Sequence, residues 1–194
     1  MLCFNYKMIK IRDFAKWIVF LAALIAALPL TAQAMTIEQA YSMLSHQRPV
    51  FSPVIGLMPE NESAYLTQLF GIIDQAVVQR VGTMTWLAGK GESPEPFDDY
   101  DAILFQLSVL RPPKKLLTVH QLTVQAIEEQ RDLIRQWKKE PRVFVWENAR
   151  NHPLIVSSSQ KLHHAYNHVM ELYPQEHQKN REAFYDYFCC LDFL

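Results

Sequence analysis

Apolar residues recur along this chain at helical spacing. Between Glu62 and Ala88, the residues Leu66, Leu69, Phe70, Ile73, Val77, Val81 and Met84 fall on one stripe, the pattern of a long helix that buries one face. A short helix is predicted over Thr36–His46, followed by a connector punctuated by Pro49, Pro53 and Pro59. After a loop at Gly89–Pro96, Asp98 or Asp99 caps a helix carrying Tyr100, Ile103, Leu104 and Leu107, which Pro112-Pro113 ends. The next long helix spans Lys114–Lys139, with Leu116, Val119, Ile127, Ile134 and Trp137 facing inward. Ser157-Ser158-Ser159 reads as a capping signature that opens a helix through Tyr173. A final helix over Glu176–Leu191 turns Phe184, Tyr187, Phe188 and Leu191 to the core. Val143–Trp146 has strand-like residues but no second run to pair with, so Pro141–Ser159 is expected to be an extended connector. The predicted fold is all-α, a single-domain bundle of four to five long helices.

The N-terminus departs from this pattern. Lys7, Lys10, Arg12 and Lys16 precede the apolar run Trp17–Leu28, Pro29 interrupts it, and Ala32-Gln33-Ala34 offers the small residues an export peptidase needs. Spanning a bilayer takes about 20 apolar residues, and Asp13 and Lys16 keep this run shorter than that. Residues 1–34 therefore read as a cleaved signal peptide, with Met8 an alternative initiator, and residues 35–194 as the helical domain. The expected location is periplasmic or secreted, without stable membrane insertion once the leader is removed.

Composition narrows the function classes. The chain is 49% hydrophobic and 20% charged, which supplies a core and argues against disorder. Loss of the leader removes four of 19 basic and one of 20 acidic residues, leaving 15 against 19 and a net charge of −4. A mildly acidic domain without a basic block is not expected to bind nucleic acid. All five glycines lie between Gly56 and Gly91, which excludes glycine-rich phosphate loops from the remainder. Cys189 and Cys190 are adjacent, too close for an ordinary disulfide, and read as small apolar side chains on a helix.

No familiar catalytic constellation emerges. Glu-x-x-His, Cys-x-x-Cys-His, His-Glu-x-x-His and Gly-x-Ser-x-Gly are absent. Ser158-x-x-Lys161 matches a serine–lysine nucleophile pattern but lacks its companion motifs, so capping explains these serines better. His164, His168 and Glu171, at i, i+4 and i+7, share a helical face and form a candidate ligand set for a divalent transition metal. Their face lies opposite the apolar stripe and is expected to meet solvent, so no resident cofactor is expected. Arg80 falls inside the apolar stripe of the long helix, where an unpaired guanidinium is costly; a structural ion pair or a stem that reaches water is the favoured expectation, with a candidate anion contact beside it, and His120 and His177 are further candidate ligand residues. Gly71 and Gly82 project to one side of the same helix and leave a smooth strip that another helix could approach.

These features predict an exported, non-catalytic helical protein that binds a protein partner or a small ligand. Two alternatives stand beside it. One is a periplasmic metal-binding protein using His164, His168 and Glu171. The other is an acid-responsive factor, since protonating all seven histidines carries the net charge from −4 to +3.

Overall fold

The computed structural model describes residues 35–44, 47–87, 99–139 and 150–193. The proposed leader and the strand-like Val143–Trp146 both lie outside the described residues. Among the described residues there are six α-helices and no strand: α1 (Ile37–Met43), α2 (Glu60–Leu87), α3 (Tyr100–Val109), α4 (Leu117–Lys139), α5 (Pro153–Leu172) and α6 (Gln178–Leu191), with one 3-10 turn at Lys114–Leu116 before α4. The all-helical expectation holds. No helix among the described residues is long and apolar enough to cross a membrane.

Helix α2 organises the rest. Leu66, Leu69, Phe70, Ile73, Ala76 and Val77 are all buried, and so is Ile72 beside them. A helix that is apolar around so much of its circumference belongs inside, and α2 packs against α1, α3 and α6. Helix α3 also meets α4, α4 lies along α5, and α5 meets α6, so the neighbour relations run from α2 through α6 and back to α2. At the centre Phe70 stacks on Tyr187 with ring centroids 4.2 Å apart and planes within 1°, while Phe51, Phe184 and Phe188 surround it at 5.5, 6.0 and 6.2 Å.

The helix starts follow local chemistry. Thr36 and Gln39 form a reciprocal capping box on α1. Pro112-Pro113 forces a break, and the chain re-enters helix through the 3-10 turn, so the element expected to begin at Lys114 becomes regular at Leu117. Helix α5 corrects the expected start. It begins at Pro153, with His152 Nδ1 accepting the Leu154 N–H at 3.2 Å, and Ser157, Ser158 and Ser159 lie within the helix and do not cap it. Proline at the first helical position has its φ already set and no N–H to satisfy, which moves the start upstream.

The interior serines serve packing between helices. Ser158 donates to the Ala126 carbonyl at 3.2 Å, Gln130 Nε2 donates to the Leu191 carbonyl at 2.9 Å, and Ser159 donates to Asp192 at 2.7 Å. The proline-rich connector is fastened in the same way. Tyr187 donates to the Pro49 carbonyl, Asn180 bonds both backbone groups of Ser52, and the buried Glu176 accepts from the Leu57 N–H at 2.9 Å. Tyr41 and Arg48 converge on Asp74, which is 1% exposed; Tyr41 donates to Oδ1 at 2.8 Å and Arg48 Nε to Oδ2 at 3.0 Å. Irregular backbone can lie against the core only when its polar groups find partners, and these side chains supply them.

Candidate functional site

Two features of α2 are candidates for function, one on its surface and one in its interior. The surface feature is a groove of about 660 Å³ between α2 and α3. On the α2 side it is lined by Asn61, Ala64, Gln68, Gly71 and Gln75, at alternating steps of three and four residues. That is heptad spacing, the seam along which a second helix packs at a shallow crossing angle. Fourteen residues of rise give this seam a length of about 21 Å. Gly71 sits at its middle, and a Cβ built there meets no atom within 4 Å. Val109, Leu110 and Arg111 form the opposite wall, and Gln106 pairs with Gln75 at 2.8 Å at one end. Phe105, one turn from Val109, is 68% exposed. The sequence reading of two aligned glycines holds only for part of this strip: Gly71 opens the groove, whereas Gly82 is buried.

The interior feature is Arg80. It is 8% exposed, so its side chain does not escape to water, and its Cζ lies 5.5 Å from the centroid of the Phe193 ring. Burial holds the guanidinium below its usual pKa, against the electrostatic pull of Tyr100, Cys190 and Asp192. Among the described residues its Nε has no hydrogen-bond partner, and neither do Thr83 Oγ1 and Tyr100 OH. Thr83 stands one turn further along α2, and Tyr100 begins the neighbouring α3. Leaving a buried polar atom unpaired costs about 1–3 kcal/mol.

The other two candidate ligand residues stand elsewhere. His120 Nδ1 pairs with Tyr65 OH at 3.1 Å, and burial lowers the imidazole pKa. Tyr65 precedes Arg80 by 15 residues on α2, about 22 Å of helix rise. His177 is the N-cap of α6, its Nδ1 accepting the Lys179 N–H at 3.2 Å, next to Glu176 near the opposite end of α2. The structure therefore does not bring Arg80, His120 and His177 into one site. Both histidine caps occupy a position where serine, threonine, aspartate or asparagine is the readable signal.

His164 and Glu171 are exposed on α5, and His168 Nδ1 lies 3.8 Å from Glu171 Oε2. Among the described residues no group of three or more His, Cys, Asp or Glu side chains is close enough to hold a metal ion. Lys161 contacts a serine, but it is Ser157 at 2.6 Å and not Ser158; both groups also bond Glu129, at 2.8 and 2.9 Å. The cluster is an ion pair bridged by a hydroxyl that ties α4 to α5. Cys190 is buried, and burial together with the neighbouring Cys189 pushes its thiol up to about 11, which keeps it out of the thiolate form. Both cysteines are free.

Sequence reasoning missed Tyr100 and Phe193 beside Arg80, which come from other parts of the chain. It also passed over the seam Asn61–Gln75, although counting three-and-four steps through polar and small residues would have found it. Comparison with known proteins adds no relative: no family model, no curated protein and no solved structure matches this chain.

Proposed function

We propose that this chain is an exported, non-catalytic protein, a bundle of four to five long helices that binds a partner protein by accepting one of the partner's helices in the α2–α3 groove. The observation that carries this reading is the heptad-spaced seam Asn61, Ala64, Gln68, Gly71 and Gln75, open at Gly71 and bordered by the exposed Val109. Heptad spacing suits a helix better than a strand or a compact ligand, because knobs of the incoming helix meet holes at the same period. The missing side chain at Gly71 leaves room for a bulky apolar knob. The amides of Asn61, Gln68 and Gln75 and the guanidinium of Arg111 favour a partner helix whose flanking positions carry carboxylates or amides.

Gly71→Leu tests the reading. A Cβ at this position meets open space, so the variant is expected to fold like the parent with its side chain in the groove, while the affinity of the purified partner falls by about tenfold or more, a loss of about 1.4 kcal/mol or more. Calorimetry with the partner isolated from the exported fraction measures this. Binding indifferent to Gly71→Leu removes the groove from consideration, and a turnover abolished by a single side-chain change removes the non-catalytic reading.

A second reading has one observation in its favour. His168 and Glu171 already approach to 3.8 Å on an outward face that also carries the exposed His164, and rotamer changes of exposed side chains are fast. In this reading the three residues take up a divalent transition metal. Elemental analysis of the purified protein beside a His164→Ala/His168→Ala variant decides it: the expectation is about one equivalent lost with the two imidazoles.

A further inference from the structure

A further cavity, of about 450 Å³, lies between α5 and α6 on residues that the α2–α3 groove does not use. Small-molecule sites occupy roughly 300–1,000 Å³, so the space suits a small ligand. Its α5 wall is formed by Tyr166 and Met170. Its α6 wall carries the charge: Gln178, Arg181, Glu182, Tyr185 and Asp186 stand at i, i+3, i+4, i+7 and i+8, one face of that helix. Tyr166 and Tyr185 meet edge to face across the two helices, with ring centroids 5.5 Å apart, and Tyr185 remains 51% exposed, with ring surface still to be covered.

Arg181 sets the class of ligand. Arg48 has taken Asp74 as its carboxylate partner, and Arg131 and Arg135 share Asp101. Arg181 has no such partner, although Glu182 and Asp186 line the same cavity. Its guanidinium makes no ion pair among the described residues, and its Nε has no hydrogen-bond partner there. Glu182 instead accepts from Gln178 Nε2 at 2.8 Å. A ligand with one charge fits this wall poorly: an anion drawn to Arg181 also meets two carboxylates, and a cation drawn to the carboxylates also meets Arg181. A molecule with both charges gives each group its opposite. We propose that the α5–α6 cavity binds a small zwitterion of the α-amino-acid class with an aromatic or apolar side chain. Its carboxylate lies on Arg181, its ammonium toward Glu182 and Asp186, and its side chain against Tyr166, Met170 and Tyr185. The site is separate from the α2–α3 groove and does not depend on a partner helix there.

Phenylalanine is the probe, titrated into the full chain at pH 7.5 by calorimetry. Phenylacetate and phenethylamine are the other arms; each keeps the ring and lacks, respectively, the ammonium or the carboxylate. Phenylalanine is expected to bind about tenfold or more tightly than either analogue. Arg181→Met, which keeps the apolar stem, is expected to weaken phenylalanine by about tenfold and to leave phenethylamine no weaker. Glu182→Gln/Asp186→Asn is expected to weaken phenylalanine and phenethylamine and to leave phenylacetate no weaker. Should one of these variants fail to fold, the other and the three-ligand comparison on the parent decide the matter. The proposal is overturned by the absence of saturable phenylalanine binding, by an analogue that binds as tightly as phenylalanine, or by a phenylalanine affinity that survives either set of substitutions.

Discussion

Asp74 shows how a single side chain can hold an irregular segment. Burial raises its carboxyl pKa, while the hydrogen bonds from Arg48 and Tyr41 pull the other way without reversing the shift. A carboxyl whose pKa is raised by folding binds a proton more readily in the folded state than in the unfolded one, so stability falls as pH rises from about 4 through the folded value. Arg48→Met removes the strongest opposing bond. The deficit in Tm of that variant relative to the parent is therefore expected to be large at pH 7 and to shrink on titration toward pH 4, as the carboxyl takes up its proton. A deficit independent of pH would mean that Arg48 acts through packing alone. The pair Tyr41–Asp74 spans 33 residues of sequence and Arg48–Asp74 spans 26, separations that no pattern along the chain encodes.

At the scale of elements, periodicity carries most of the information. The stripes read for α2 and α4 match the buried residues, because an apolar face of a helix has to be covered and the 3.6-residue repeat records which face that is. Helix starts were less legible. His152 and His177 each cap a helix through Nδ1, a role open to the tautomer that carries its proton on Nε2, and only after the chain has turned the ring toward the first free N–H groups. The serines at 157–159 look like caps in sequence and are instead inward-facing donors between α4, α5 and the end of α6. Polar residues of small volume fit both places, and the choice between them is made by neighbouring helices. The seam along α2 belongs to this scale as well: its spacing is in the sequence, but that it is open from Asn61 to Gln75 while Gly82 is buried was decided by packing.

For the whole molecule the histidines matter together. His120 has its pKa lowered by burial, so the folded state resists the proton that the unfolded chain accepts below its ordinary value near 6.5. Stability from this group is present above that value and declines as pH falls through the window between it and the lower folded pKa. On acidification from pH 7.5 to 5 the protein is expected to lose Tm, and His120→Gln is expected to lose less. Exposure of apolar surface to a hydrophobic dye over the same range, with a change of oligomeric state, is the expected signature if the summed charge opens an interface. Constant dye binding and constant mass across this range would exclude an acid response.

Spacing, punctuation and charge along the chain were sufficient for an all-helical fold, for its approximate element order and for the place of Arg80 within an apolar stripe, since each depends on interactions within one helix or on the side of it that must leave water; that the Arg80 side chain stays buried was decided by packing. Which polar groups complete one another was decided by the packed helices. Tyr100 acts on Arg80 from α3, His120 and His177 are held away from it by the length of α2, and Phe193 arrives from the far end of the chain. A helical projection orders side chains around its own axis; distances between axes exist only after the apolar faces have packed.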